Sequence, residues 1–236
     1  MSVPHPTHKH EETVVDKARG FWVANNKAII YVASAVVLLF AAFVIYKYMY
    51  KIPRNEKANE VVFVTQKYFS DFNNTTDSSK ALIAAKVLNG DGVNPGALKI
   101  MNNYSGTDAA NLCAYYAGAC YLHLGQFAKA IQYLKKFDGN GASQVQSRAY
   151  GMMGDASAEL NKNDDALDYY KKAANVNIND EFTSSEYFFR AGLFAQSVGK
   201  KKDAIDLFMK VKNDFPQSEK AANIDRYLAR LGEVSE

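Results

Sequence analysis

The stretch YFFRAGLFAQSVGKKKDAIDLFMKVKNDFP, Tyr187 to Pro216, decides the fold. Its apolar residues recur at three- and four-residue spacing, the period of a helix and not the alternation of a strand. Gly199 interrupts the pattern midway, where a residue tolerant of the left-handed conformation ends one helix and lets a second begin. Ala204 opens that second helix, Phe208 follows one turn later on the same face, and Pro216 stops it. The unit is therefore a helical hairpin. Gly192, inside the first helix, costs about 1 kcal/mol against alanine and needs a compensating contact.

The same layout returns upstream. Ala97, Ala130, Ala166 and Ala204 are separated by 33, 36 and 38 residues. Twelve residues before each stands a small residue (Ala85, Gly118, Gly154, Gly192), and seven after that comes a turn residue (Gly92, Gly125, Asn161, Gly199). Four beyond each alanine stand Met101, Leu134, Tyr170 and Phe208. Close approach of the paired helix at the alanine would compensate the helical glycines. AGACYLHLGQFAKAIQYL, Ala117 to Leu134, is nearly as regular as the C-terminal unit, whereas the unit around Ala85 is degenerate. These units resemble the tetratricopeptide repeat (TPR), about 34 residues long. The resemblance implies an all-α solenoid of about three to four helix pairs over residues 77–236. Ala221, Ile224, Leu228 and Leu231 form an amphipathic terminal helix that closes the open end. Thr183 with Glu186 reads as a capping box, Pro95 as a first helical residue, and Thr107 with Asp108 as a further helix start.

Outward toward the N-terminus, Val61, Val62, Val64, Tyr68 and Phe69 predict a juxtamembrane helix over 53–76. Ahead of it lies the longest uncharged apolar run, Ala28 to Tyr46, 19 residues or roughly 28 Å of helix, the thickness of a bilayer core. Its eleven Ile, Leu, Val and Phe residues favour insertion by roughly 3 to 7 kcal/mol. Lys27 and Lys47, Phe21 and Trp22, and Tyr46, Tyr48 and Tyr50 supply interfacial anchors. The run exceeds a signal peptide's usual apolar core, and YKYMYKIPRN after it offers no small-x-small cleavage site. Residues 28–50 are thus expected to be an uncleaved transmembrane signal anchor, and 1–27 a disordered tail. Lys17, Arg19 and Lys27 before the span balance Lys47, Lys51, Arg54 and Lys57 after it, so charge bias leaves orientation open.

Composition excludes other classes. With 48% apolar and 22% charged residues, 14 Gly and 5 Pro in 236, the chain is neither collagen-like nor disordered. A net charge of +3 argues against nucleic-acid binding, and residues 51–236 carry only 23 Lys plus Arg against 22 Asp plus Glu. His5, His8 and His10 sit in a proline-containing leader without a carboxylate until Glu11, at most a weak metal site. Asn89 to Gly92 (NGDG) lacks the spaced carboxylates of a calcium loop and the lysine of a phosphate loop, and reads as a turn. Cys113 and Cys120, seven residues apart on one helix, lie roughly 10 Å apart, beyond disulfide reach, and are expected to be core thiols. No catalytic constellation emerges, so neither an enzyme nor a cofactor is expected.

Solenoids of this type present part of each first helix on a concave face. The candidate partner-binding positions are Leu112, Tyr115, Leu122 and His123, then Arg148, Asp155 and Glu159, then Glu186, Phe189 and Gln196. Leu112, Tyr115 and Ala119 stand where a clamp for acidic chaperone tails carries Lys and Asn, which disfavours that subset. Beyond the generic repeat, AKVLNGDGVNPGALKIMNNYSGTDAANLCAYYAGACYLHLG, Ala85 to Gly125, and the order tail, anchor, array resemble the YfgM-like proteins of Gram-negative bacteria. That resemblance, spanning roughly Gly20 to Leu231, implies a single-pass inner-membrane protein with a cytoplasmic tail and a periplasmic array. It further implies an ancillary subunit of the SecYEG translocon that pairs with the prolyl-isomerase-type protein PpiD and receives exported clients. A cytoplasm-facing receptor or assembly factor of the same architecture is the alternative.

Overall fold

Helix α1 (Val14–Ile45) carries the apolar run, and none of its residues is buried. Val36, Leu38, Leu39 and Phe40 are all more than half exposed. A soluble core helix would bury such a stripe; this one is long and apolar enough to cross a bilayer. The computed structural model describes residues 14–233. Helix begins at Val14, so residues 14–27, expected as tail, are helical: the segment has no proline, and Asp16 in the first turn complements the helix dipole. His5, His8 and His10 lie outside the described residues. A π-helical turn, Tyr46–Lys51, precedes Pro53, whose missing N–H and bulky ring disfavour regular α-helical bonding there.

The chain divides after Pro53 into an N-terminal unit and a repeat unit. The repeat unit contains most of α2 (Ile52–Asn74), α3 (Lys80–Asn89), α4 (Ala97–Asn103) and α5 (Asp108–His123). Then come α6 (Phe127–Leu134), α7 (Ser143–Glu159), α8 (Asn163–Asn175), α9 (Glu181–Ser197), α10 (Lys201–Asp214) and α11 (Ile224–Arg230). It is a TPR solenoid: the pairs α5/α6, α7/α8 and α9/α10, a shorter α3/α4 pair, and α11 against α10. The compact unit that holds the repeats spans residues 54–236 and so includes the helix expected over 53–76. Ala58, Val62, Thr65, Phe69 and Phe72 of α2 recur at four- and three-residue spacing and are buried by the array.

Ala130, Ala166 and Ala204 are fully buried at the helix crossings. The glycines are compensated differently from expectation. A Cβ on Gly154 would stand 2.6 Å from the Tyr170 ring and one on Gly192 2.6 Å from the Phe208 ring. On Gly118 it would strike Leu134. Each glycine therefore receives the bulky residue one turn beyond the alanine, not the alanine itself. In the degenerate unit Ala97 is fully buried like the other crossing alanines, together with Ala84, Val87, Leu88 and Ile100, while Ala85 and Met101 are partly exposed.

Gly125, Asn161 and Gly199 adopt φ of 69°, 56° and 77°. At each, the next N–H bonds the carbonyl five residues back (Gln126 to Tyr121, Lys162 to Ser157, Lys200 to Ala195), one Schellman closure used three times. Thr107 caps α5 as expected, its Oγ1 accepting from Ala110 N at 3.2 Å. The cap of α9 is Asp180, which accepts from the N–H and hydroxyl of Thr183, so Thr183 is not the capping residue. Helix α4 starts after Gly96, and Pro95 lies outside it, where its carbonyl accepts from Thr65 Oγ1 at 2.9 Å.

Candidate protein-docking face

The first helices α5, α7 and α9 lie in sequence along the array, α5 meeting α7 and α7 meeting α9. Helix α2 joins them beside α5. Asn55 Nδ2 reaches Asp108 at the start of α5, the Phe69 ring stacks on Tyr116 at 4.1 Å, and the Phe72 ring meets His123 at its end. The two helices thus run parallel. Between α2, α5 and α7 opens a groove of about 560 Å³ lined by Phe69, Phe72, Leu112, Leu122, Val145 and Met152, with Lys80, His123 and Arg148 among its polar lining. Five of the ten expected residues meet here: Leu112, Tyr115, Leu122, His123 and Arg148.

Their roles differ. Tyr115 is only 7% exposed and packs edge-on to Phe69 and against Phe137, so it forms floor and offers little contact area. Burial pushes its hydroxyl pKa up, opposed by the nearby Arg148 guanidinium. Leu112, Ala119 and Leu122 are partly exposed, and His123 and Arg148 are exposed. Lys80 Nζ stands 4.7 Å from the centre of the Phe72 ring, a cation–π contact at the His123 end.

The other five expected residues continue along α7 and α9 in a different setting. Asp155 Oδ1 accepts from Arg190 Nη2 at 2.8 Å and from the Tyr170 hydroxyl at 2.7 Å. Arg190 also lies over the Tyr170 and Tyr187 rings. Burial opposes its charge, yet Asp155 and the two tyrosines leave its pKa raised. Tyr170 is held protonated, first by burial and then by Asp155, with a smaller contribution from exposed Glu159. Glu186 pairs with Lys220 at 2.9 Å. Phe189 packs on Phe208 and edge-on to Tyr227 of α11, which occupies it internally. Gln196, in the last turn of α9, uses its carbonyl to accept from Gly199 N.

Sequence reading missed the α2 wall. Phe69 and Phe72 were assigned to a juxtamembrane helix, although the four-three spacing of Ala58, Val62, Thr65, Phe69 and Phe72 carries the signal of a packed face. It also missed Lys80 and Arg190, single cations that no local pattern marks. Elsewhere, Asp91 of the NGDG turn accepts from Val93 N, Asn94 N, Asn94 Nδ2 and the Tyr68 hydroxyl, which makes it a turn lock tying α2 to the loop. Cys113 and Cys120 are free and fully buried, and burial pushes both thiols up to about 12, which suppresses the reactive thiolate. Among the described residues no group of three or more His, Cys, Asp or Glu is placed to hold a metal ion.

Comparison with protein families matches two tetratricopeptide-repeat models, over residues 113–138 and 147–177. A comparison with curated proteins finds no match. Among solved structures, the crystal structure of MamA protein aligns over 75% of this chain and 90% of its own length, at 17% identity and a TM-score of 0.43. The repeats make the array a protein–protein interaction scaffold.

Proposed function

We propose that the protein is a membrane-anchored, non-catalytic TPR scaffold that docks partner proteins in the α2–α5–α7 groove, with its array on the periplasmic side of the inner membrane. The observation that carries the docking reading is the groove itself, an apolar trough of about 560 Å³ on a repeat scaffold, with partly exposed Leu112, Leu122, Val145 and Met152 along it. Membrane residence is supported by α1, whose large apolar side chains are exposed and whose length suffices to cross a bilayer. The placement at the export machinery, beside the SecYEG translocon and a PpiD-like isomerase with exported clients as ligands, follows from the resemblance to YfgM-like proteins. Anchoring would confine scaffold and partner to one membrane, raising effective concentration without further contacts.

Two measurements test this. A maleimide that cannot cross membranes should label Lys202→Cys, at an exposed position, in intact spheroplasts; labelling only after lysis would establish the cytoplasm-facing alternative. A photo-crosslinking residue at Ala119, in the groove lining, should capture translocon or isomerase-type partners in membranes. The same residue at exposed Lys129 of α6, which does not line the groove, should not.

A further inference from the structure

The groove's charge is one-sided. Its lining includes Lys80 and Arg148 and no carboxylate. Among the described residues neither cation belongs to a salt bridge, although the cations of the α9 end do: Arg190 with Asp155 and Lys220 with Glu186. Lys80 sits on the Phe72 ring at the His123 end, and Arg148 lines the groove near Tyr115. Tyr115 and His123 are eight residues apart on α5, about 12 Å along the axis. Two cations thus stand at separate points of one apolar trough, and an extended chain covers that distance in about four residues. Residues i, i+2 and i+4 of such a chain face the same side.

Resting on the docking reading above, we propose that the groove's ligand is an extended, acidic polypeptide segment of a partner protein. Its pattern is acidic–x–apolar–x–acidic, the apolar side chain seated between Leu122 and Met152 and the flanking carboxylates on Arg148 and Lys80. Unlike a clamp for a chain terminus, this arrangement reads an internal segment. Arg148 suits it: a planar guanidinium can donate two parallel hydrogen bonds to a carboxylate.

The test uses the full chain in lipid nanodiscs and fluorescent peptides with blocked ends carrying Glu-x-Phe-x-Glu, Lys-x-Phe-x-Lys or Glu-x-Ser-x-Glu. The first should bind at least tenfold tighter than either of the others, and its affinity should fall steeply between 50 and 300 mM salt. Arg148→Glu and Lys80→Glu should each weaken it tenfold or more, and Arg148→Glu should improve binding of the lysine peptide. Arg148→Gln, which keeps a polar exposed side chain, serves if the reversal disturbs folding by circular dichroism. Equal binding of acidic and basic peptides, full binding by the serine peptide, or no peptide binding overturns the proposal. So does a wild-type dimer by light scattering that Arg148→Glu dissolves, which would make a second copy the occupant. Crosslinking from Ala119 separates the two levels: capture of a partner with no charge discrimination leaves the docking reading standing, and absence of capture removes that reading as well.

Discussion

The two ends of the inner face are built from the same residue types and used differently. At the α9 end, Arg190 meets Asp155, Lys220 meets Glu186, and Phe189 is covered by Tyr227 of the terminal helix. At the α2 end, aromatic rings and cations are present without carboxylates, and the trough stays open. A cation paired within the fold spends its interaction on stability, whereas an unpaired one at a groove is available to a ligand. Removing charges should therefore cost folding at one end and binding at the other.

The sharpest way to break this comparison is to remove the wall that distinguishes the open end. Phe69→Ala deletes a ring that is 9% exposed and touches Phe72, Tyr115 and Tyr116. A loss of about 3 kcal/mol is expected in denaturant unfolding; a change below about 1 kcal/mol would return α2 to the status of a linker. Next comes the repeat register. Gly192→Leu drives a side chain into the Phe208 ring and should cost about 1 to 3 kcal/mol or more. An unchanged melting temperature would refute the crossing geometry.

The repeat frame was legible because its signals are local and periodic. Gly125, Asn161 and Gly199 announce the left-handed turns that the backbone adopts, and Ala130, Ala166 and Ala204 mark the crossings. What fills the space above each helical glycine was not legible, because the contact is made 16 residues away by Leu134, Tyr170 or Phe208 and depends on crossing geometry. The site was half legible. Repeat phase placed Leu112, Leu122, His123 and Arg148 together, but whether a residue on that face is open depends on neighbours distant in sequence. Phe69 closes over Tyr115 and Tyr227 over Phe189, and neither pairing leaves a trace near the residue it covers. The caps show the same limit: Asp180 and Thr183 are both good capping residues, and only the chain path after α8 selects the first.

A direct test of the contrast pairs two arginines. Asp155→Ala leaves Arg190 without its carboxylate and Tyr170 without its acceptor, in a setting where both charged side chains are about one-third exposed. Solvent screening reduces the cost from that of a fully buried pair, to about 1 to 2 kcal/mol. Arg148→Ala should change stability by no more than about 0.5 kcal/mol while abolishing preference for the acidic peptide. Equal destabilisation by the two would erase the distinction between structural and available cations.

The smallest effect concerns acid. Asp91 is held well below the usual carboxylate range, chiefly by the Asn94 N–H, then by the Asn94 side chain and the Tyr68 hydroxyl. Its folded pKa is depressed, so its contribution is complete above the unfolded value near 3.9 and is lost as pH falls from there toward the folded value. Asp180, which caps α9, shifts in the same direction through Thr183. Both ends of the array should therefore weaken below about pH 4, the α2 end through its turn and the α9 end through its cap. Asp91→Asn keeps an oxygen for the backbone N–H groups but offers Tyr68 no second acceptor, so it should lower the melting temperature at pH 7. Since the variant has no charge to lose, the two melting curves should converge as pH falls toward 2. A constant gap across that range would show that the turn is held by hydrogen-bond geometry alone and that the charge on Asp91 adds nothing to the seating of α2.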